Sequence, residues 1–153
     1  MASTLTVDNI VGATTAANVH IPGAMVQILE AEYATQTNVT ATSYFDLGLS
    51  VTITPKFATS KIFVMTNVHC YMNGTGFISV KVVRGSTDVV ESLRPHGYTD
   101  NSAAIVSLTK LDSPATTSPT TYKIQVKAIA PSSSPRVNDG GGPSRITVME
   151  IAQ

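Results

Sequence analysis

Between Val51 and Met72 the chain alternates apolar with polar residues and then runs apolar, and a single proline divides the two patterns. Val51 and Ile53 alternate with Thr52 and Thr54, a period of two that puts successive side chains on opposite faces of an extended strand. Pro55 has no N–H to give to a ladder and stops the strand, and a second apolar run begins at Ile62. A chain built on this period must fold from strands.

The 153 residues suffice for one sizeable core and not for two. Cys70 is the only cysteine, so no intramolecular disulfide can staple the fold. Ten Lys plus Arg balance ten Asp plus Glu, which leaves no excess positive charge to neutralise phosphates and argues against nucleic acid or an anionic membrane as partner. No basic segment precedes an apolar one at the N-terminus, and the apolar runs are strand length, well short of the roughly 20 residues of a membrane helix. Synthesis in the cytoplasm is the expectation.

Residues 1–23 read as an arm. Leu5, Val7 and Ile10 alternate with polar residues, and the small, polar stretch from Gly12 to Asn18 cannot bury enough surface to fold alone. Ile21-Pro22-Gly23 is the hinge into a single β-domain over 24–153. Strands are predicted near 25–33, 39–46, 49–54, 61–72, 76–84, 87–93, 103–111, 120–129 and 145–152. Asn73-Gly74 reads as a tight hairpin turn between two of them, and Pro131 to Pro143 as the longest and most mobile loop. No segment sustains a 3.6-residue apolar period, so helices are minor.

Two strands stand apart from the rest. Tyr122, Ile124, Val126 and Ala128 share one face with Lys123, Gln125 and Lys127 on the other, as a half-solvated strand requires. In 62–72, by contrast, Ile62, Val64, Val68, Cys70 and Met72 occupy one parity, and Phe63, Met65 and Tyr71 the other. The last strand behaves likewise, with Ile146 and Val148 opposite Met149 and Ile151. A sandwich covers one face of each strand, so the second apolar face needs another cover, and an identical subunit supplies one. The expectation is an all-β, antiparallel jelly-roll-like sandwich assembled as a homo-oligomer through Phe63, Met65, Tyr71, Met149 and Ile151.

Residues capable of chemistry do not converge in the sequence. His20, His69 and His96 lack ligand spacing, and His69 and Cys70, adjacent on a strand, point apart. His69 is expected in a structural or interface role, and Cys70 as a buried small hydrophobe. Asn138-Asp139-Gly-Gly-Gly-Pro lacks the Lys-Ser/Thr of a phosphate loop and the closing Glu of a calcium loop, so it reads as a flexible turn. Asp88, Glu91, Asp100 and Asp112 are scattered, and no Gly-x-Ser-x-Gly elbow is present. The expectation is therefore no enzyme, no metal and no cofactor. Arg94, His96 and Tyr98 on one polar loop form a candidate recognition surface for a sugar or a protein.

Five segments in order carry a resemblance: Gly48-Leu-Ser-Val-Thr-Ile-Thr-Pro55 leading to Ser60-Lys-Ile, then Arg84-Gly-Ser-Thr87, then Leu111-Asp-Ser-Pro-Ala-Thr-Thr-Ser118, then Ile146-Thr-Val-Met-Glu-Ile151. Over about 24–153 the chain resembles the strand-rich exterior modules of tailed bacteriophages, and its opening Ser3-Thr-Leu-Thr-Val-Asp-Asn-Ile10 is similar to the start of such virion proteins. The resemblance implies a non-enzymatic homotrimer on the virion exterior, joined through its arm, with Leu5, Val7 and Ile10, to a major capsid or tail protein. A fibre head needs a shaft, whereas the residues before the sandwich span roughly 75 Å at most; that places a capsid decoration protein ahead of a tail-fibre or tail-tip head that recognises a host-surface glycan. A free-standing lectin-like module is the reading from another class, and the arm argues against it.

Overall fold

The computed structural model describes residues 21–72, 74–92, 102–129 and 135–153. Its strands are β1 (Met25–Tyr33), β2 (Thr37–Asn38), β3 (Phe45–Ile53), β4 (Lys61–Met72), β5 (Phe77–Arg84), β6 (Thr87–Ser92), β7 (Ser102–Asp112), β8 (Thr120–Ile129), β9 (Arg136–Val137) and β10 (Ser144–Ile151). Leaving the two-residue β2 and β9 aside, one sheet runs β1-β10-β4-β7 and the other β3-β8-β5-β6, all antiparallel. We call them sheet A and sheet B.

The pairing is nested. β5 pairs β6, β4 pairs β7, β3 pairs β8 and β1 pairs β10, so the chain is one long hairpin whose tip is Gly85-Ser86. Gly85 has φ 59°, which suits the first central position of a two-residue hairpin. Rolling this hairpin on itself brings β10 beside β4 and β8 beside β5, and that is the jelly roll. The expected all-β sandwich is observed, and with it the jelly-roll order.

Nesting also corrects the reading of Asn73-Gly74. The link from β4 to β5 passes from sheet A to sheet B and is no hairpin. Both edges of β4 are already taken: β7 lines one along its whole length, while β10 (against 61–67) and β9 (against 70–71) fill the other. Gly74, at φ 109°, allows the crossing.

Two further differences concern local geometry. Of the strand expected at 39–46 only Phe45 and Asp46 are strand, the rest being loop; they open β3, which runs on through 49–53 and whose pairing with β8 shifts register between Asp46 and Ser50. Gly48 sits in that bulge at φ 95°, and a Cβ there would meet the Tyr33 ring at 3.1 Å. The loop expected over 131–143 holds β9 and a 3-10 turn at Asp139–Gly141, because Asn138 pins it. Asn138 is buried at φ 60°; its Nδ2 donates to the carbonyls of Tyr33 (2.7 Å) and Thr35 (3.2 Å), and its Oδ1 accepts from Ser144 Oγ (2.6 Å).

The core lies between the sheets. Ile62, Val64, Val68, Cys70, Met72, Ile146 and Val148 from sheet A meet Leu47, Leu49, Val51, Ile53, Val80, Val82, Ile124 and Val126 from sheet B. Burial pushes the Cys70 thiol up to about 12, so it remains a neutral small hydrophobe. Polar ties close the sandwich at its ends. Arg84 Nε and Tyr122 Oη each donate to Asp112 Oδ2 at 2.7 Å, linking β5 and β8 to β7 across the sheets. Burial alone would raise the Asp112 carboxyl, but the Arg84 and Tyr122 bonds outweigh it and hold it below its ordinary value. Glu150, fully buried, accepts from Gln27 Nε2 (2.6 Å) and from the backbone N–H of Lys56 (2.7 Å) and Phe57 (3.2 Å), fastening the β3–β4 connection.

Candidate interaction surface

The outward faces of the two sheets differ in kind. Sheet B presents paired polar groups to solvent. Lys123 Nζ and Gln125 Nε2 both donate to Asp46 at 2.7 Å, Lys81 pairs with Asp88 at 2.8 Å, and the Thr52 and Thr121 hydroxyls bond at 2.8 Å. Tyr44 lies at the centre. Its hydroxyl bonds Ser79 Oγ (2.9 Å) and the Glu91 carboxylate, and the ammonium groups of Lys81 and Lys127 sit 4.4 and 4.2 Å from its ring centroid. Burial and the Glu91 bond push the Tyr44 hydroxyl up to about 12, so it stays a donor at any physiological pH.

Sheet A presents an apolar row. Register places Ile28 of β1 beside Met149 of β10, Met149 beside Phe63 of β4, and Phe63 beside Leu111 of β7, so four large apolar side chains cross the whole sheet on its outer face. Ile151 and Met25 lie one step toward one strand end, and Met65 one step toward the other. Met25 is 61% exposed, Ile28 51%, Leu111 44% and, further along, Ile105 56%. A contiguous patch of this kind is uncommon on a protein that works alone.

Phe63, Met65, Tyr71, Met149 and Ile151 therefore all lie on one outer face, and the structure adds Met25, Ile28 and Leu111 to them. Sequence reasoning missed the added residues because none stands out within its own mixed strand, and only cross-strand register makes them a row. Tyr71 stands apart from the row at the far end of β4, with the Arg136 guanidinium 4.9 Å from its ring centroid. His69, Tyr71, Ala103, Ala104, Ile105 and Asp139 border a shallow depression there, with a volume of about 180 Å³. His69 and Cys70 point to opposite faces as expected, and the backbone of Gly142 lies so close to the His69 ring that a Cβ would meet Nδ1 at 2.7 Å.

The remaining predicted residues divide in two. Leu5, Val7 and Ile10, and Arg94, His96 and Tyr98, lie outside the described residues, as does Asp100. Asp88, Glu91 and Asp112 are engaged with Lys81, Tyr44 and Arg84 respectively, at separate places. Among the described residues no three His, Cys, Asp or Glu side chains are grouped to hold a metal ion, and no helix is long and apolar enough to cross a membrane.

No family model matches the sequence, and no curated protein matches it. Among solved structures, the chain is similar to one from Bacillus endospore appendages, described as disulfide-linked pili, at 12% identity and a TM-score of 0.39, over 89% of this chain and 97% of that one. A likeness that distant carries no argument about role. What the geometry itself establishes is a jelly roll with one outer face of paired polar groups and another crossed by an apolar row.

Proposed function

We propose that this chain is a structural component of a tailed-phage virion: a decoration protein, homotrimeric through the outer face of sheet A, with sheet B turned to solvent and the N-terminal arm joined to a capsid protein. The observation that carries the reading is the contrast between the two faces. Every described charged side chain on the outer face of sheet B has a partner within its own chain, whereas sheet A exposes Ile28, Met149, Phe63 and Leu111 in one line. Burial of that line against further copies removes it from water, at about 25 cal/mol per Å² of apolar area. The trimeric state and the phage particle come from the resemblance of the strand motifs to phage exterior modules, and the role carries no catalysis. The start of the domain suits an arm: Ala24 N–H bonds the Ile21 carbonyl across Pro22-Gly23, and Gly23 N–H bonds the Ala152 carbonyl at 2.8 Å, so residue 24 is anchored beside the chain's last strand.

Sedimentation velocity at micromolar concentration tests the assembly. A trimer is expected, converted to monomer by Phe63→Asp or Met149→Asp; a wild-type monomer refutes the reading. Deleting residues 1–22 should leave the trimer intact and abolish binding to particles stripped of the protein. Unchanged binding would move the attachment site onto the sandwich.

A further inference from the structure

The depression beside His69 lies well away from the apolar row. His69 is six residues along β4 from Phe63, about 20 Å at about 3.3 Å per residue, so covering the row does not cover the depression. Its floor and one side are aromatic or apolar. His69 and Ile105 are cross-strand neighbours, Tyr71 and Ala103 are the next outward pair, and Ile105 is 56% exposed although the row does not include it. Asp139, in the 3-10 turn, borders the depression from the other edge of β4.

Three polar groups here lack full partners. Neither ring nitrogen of His69 bonds a protein group among the described residues. Asp139 Oδ1 accepts from Arg136 Nη1 at 3.0 Å, and Oδ2 is left without a donor among the described residues. Arg136 lays its guanidinium 4.9 Å from the centroid of the Tyr71 ring, with Nε buried and without an acceptor.

The fold holds these groups in place. Asn138 N–H bonds the His69 carbonyl at 2.9 Å, and the buried Asn138 side chain pins the turn that carries Asp139. The Gly142 backbone packs against the Nδ1 edge of the His69 ring and fixes its orientation from that side. β4 and β7 keep unbroken register from Ile62 to Met72, which makes the floor rigid. Unsatisfied polar groups on a rigid, concave and partly apolar floor are the form of a ligand site.

We propose that this depression binds one neutral hexopyranose unit. Charge excludes the alternatives, because Asp139 repels a phosphate or carboxylate, Arg136 beside it repels an ammonium group, and the pair together is neutral. A neutral ligand must then satisfy Asp139 Oδ2 and His69 with hydrogen bonds while covering Tyr71, Ala103 and Ile105 with apolar surface. A pyranose has that division: its rim of hydroxyls donates and accepts, and its face of C–H groups packs on aromatic and aliphatic side chains. The volume of about 180 Å³ suits one ring and not a chain of them. The site is independent of the self-association proposed above.

NMR titration of the full-length protein with glucose, galactose and mannose tests it. At least one should shift the His69 imidazole and Ile105 methyl signals with a dissociation constant of about 1–10 mM, the weak affinity of a ligand this small. Methyl α-glycosides that bind equally well assign the site to the end of a glycan chain, and free hexoses alone assign it to a monosaccharide; either supports the proposal. Inorganic phosphate, tetramethylammonium and cyclohexanol should leave the signals unmoved. Asp139→Asn and Ala103→Leu should each weaken the sugar by about tenfold, the first by removing the charged acceptor and the second by filling the floor at an exposed position that the fold does not need. If no hexose shifts these signals at about 50 mM, or if both variants bind within about twofold of wild type, the proposal is wrong. A response to phosphate or cyclohexanol equal to that of the hexoses overturns the ligand class. Sedimentation of the same samples reports the oligomer separately, so a wild-type monomer bears on the proposed assembly and not on this site.

Discussion

Asn138 offers the most direct test of how the fold holds the segment beside the His69 depression. Replacing it with glycine keeps a residue able to adopt φ 60° but removes its side-chain bonds to the Tyr33 and Thr35 carbonyls and to Ser144. Thr35 is exposed and can bond water instead, which leaves the Tyr33 carbonyl without this bond and the buried Ser144 hydroxyl without an acceptor for its proton, although its oxygen still accepts from the His69 N–H at 3.1 Å. At about 1–3 kcal/mol per unsatisfied buried group the cost is about 3 kcal/mol, or a melting temperature lower by about 6–12 °C for a domain of this size. Alanine loses the same bonds and must also hold a left-handed backbone, an added cost of about 1–2 kcal/mol. The order is diagnostic, since alanine normally outranks glycine. Urea unfolding followed by fluorescence or circular dichroism, with thermal melts alongside, measures all three proteins. Asn138→Gly within about 0.5 kcal/mol of wild type, or Asn138→Ala more stable than Asn138→Gly, would refute the pin.

Acid should unfold the protein through its engaged carboxylates. Burial raises the Glu150 carboxyl, but bonds from Gln27 and from the Lys56 and Phe57 N–H groups hold it below the ordinary value, and Asp112 is lowered likewise. A lowered folded-state pKa gives stability that is present above the unfolded value and lost as pH falls through the folded one, so melting temperature should hold down to about pH 5 and drop below about pH 4. Glu150→Gln should cost about 1–3 kcal/mol at pH 7, with the gap to wild type narrowing toward pH 3; a constant gap would contradict the assigned ionisation. Gly142→Ala should displace the His69 ring, seen as a shifted imidazole signal by NMR and about 1–3 kcal/mol of lost stability, whereas an unmoved ring would mean that the close approach is not held in solution. Chelator should leave the melting temperature within a few degrees of its starting value, and a larger fall would reveal a metal that the residues do not suggest.

The period-two patterning of this chain determined, without any structure, where most strands lie and which parity of each enters the core. Val64, Val68 and Cys70 are buried while Phe63, Met65 and Tyr71 face outward because a strand's geometry admits only two directions. The same local rule shows that β4 and β10 carry apolar residues on both faces. Partner choice is another matter. Asn73-Gly74 has the composition of a hairpin turn, yet β4 pairs with β7, β10 and β9, because which edges are free depends on strands as far away in the chain as Ile151 is from Lys61. The bulge at Gly48 and the left-handed pin at Asn138 were likewise invisible, since each answers a distant group: the ring of Tyr33 in one case and the carbonyls of Tyr33 and Thr35 in the other. The apolar row is the clearest instance. Ile28 and Leu111 are unremarked in their own strands, and only the tertiary register that sets β1 and β7 at the two edges of one sheet makes them, with Met149 and Phe63, a continuous surface.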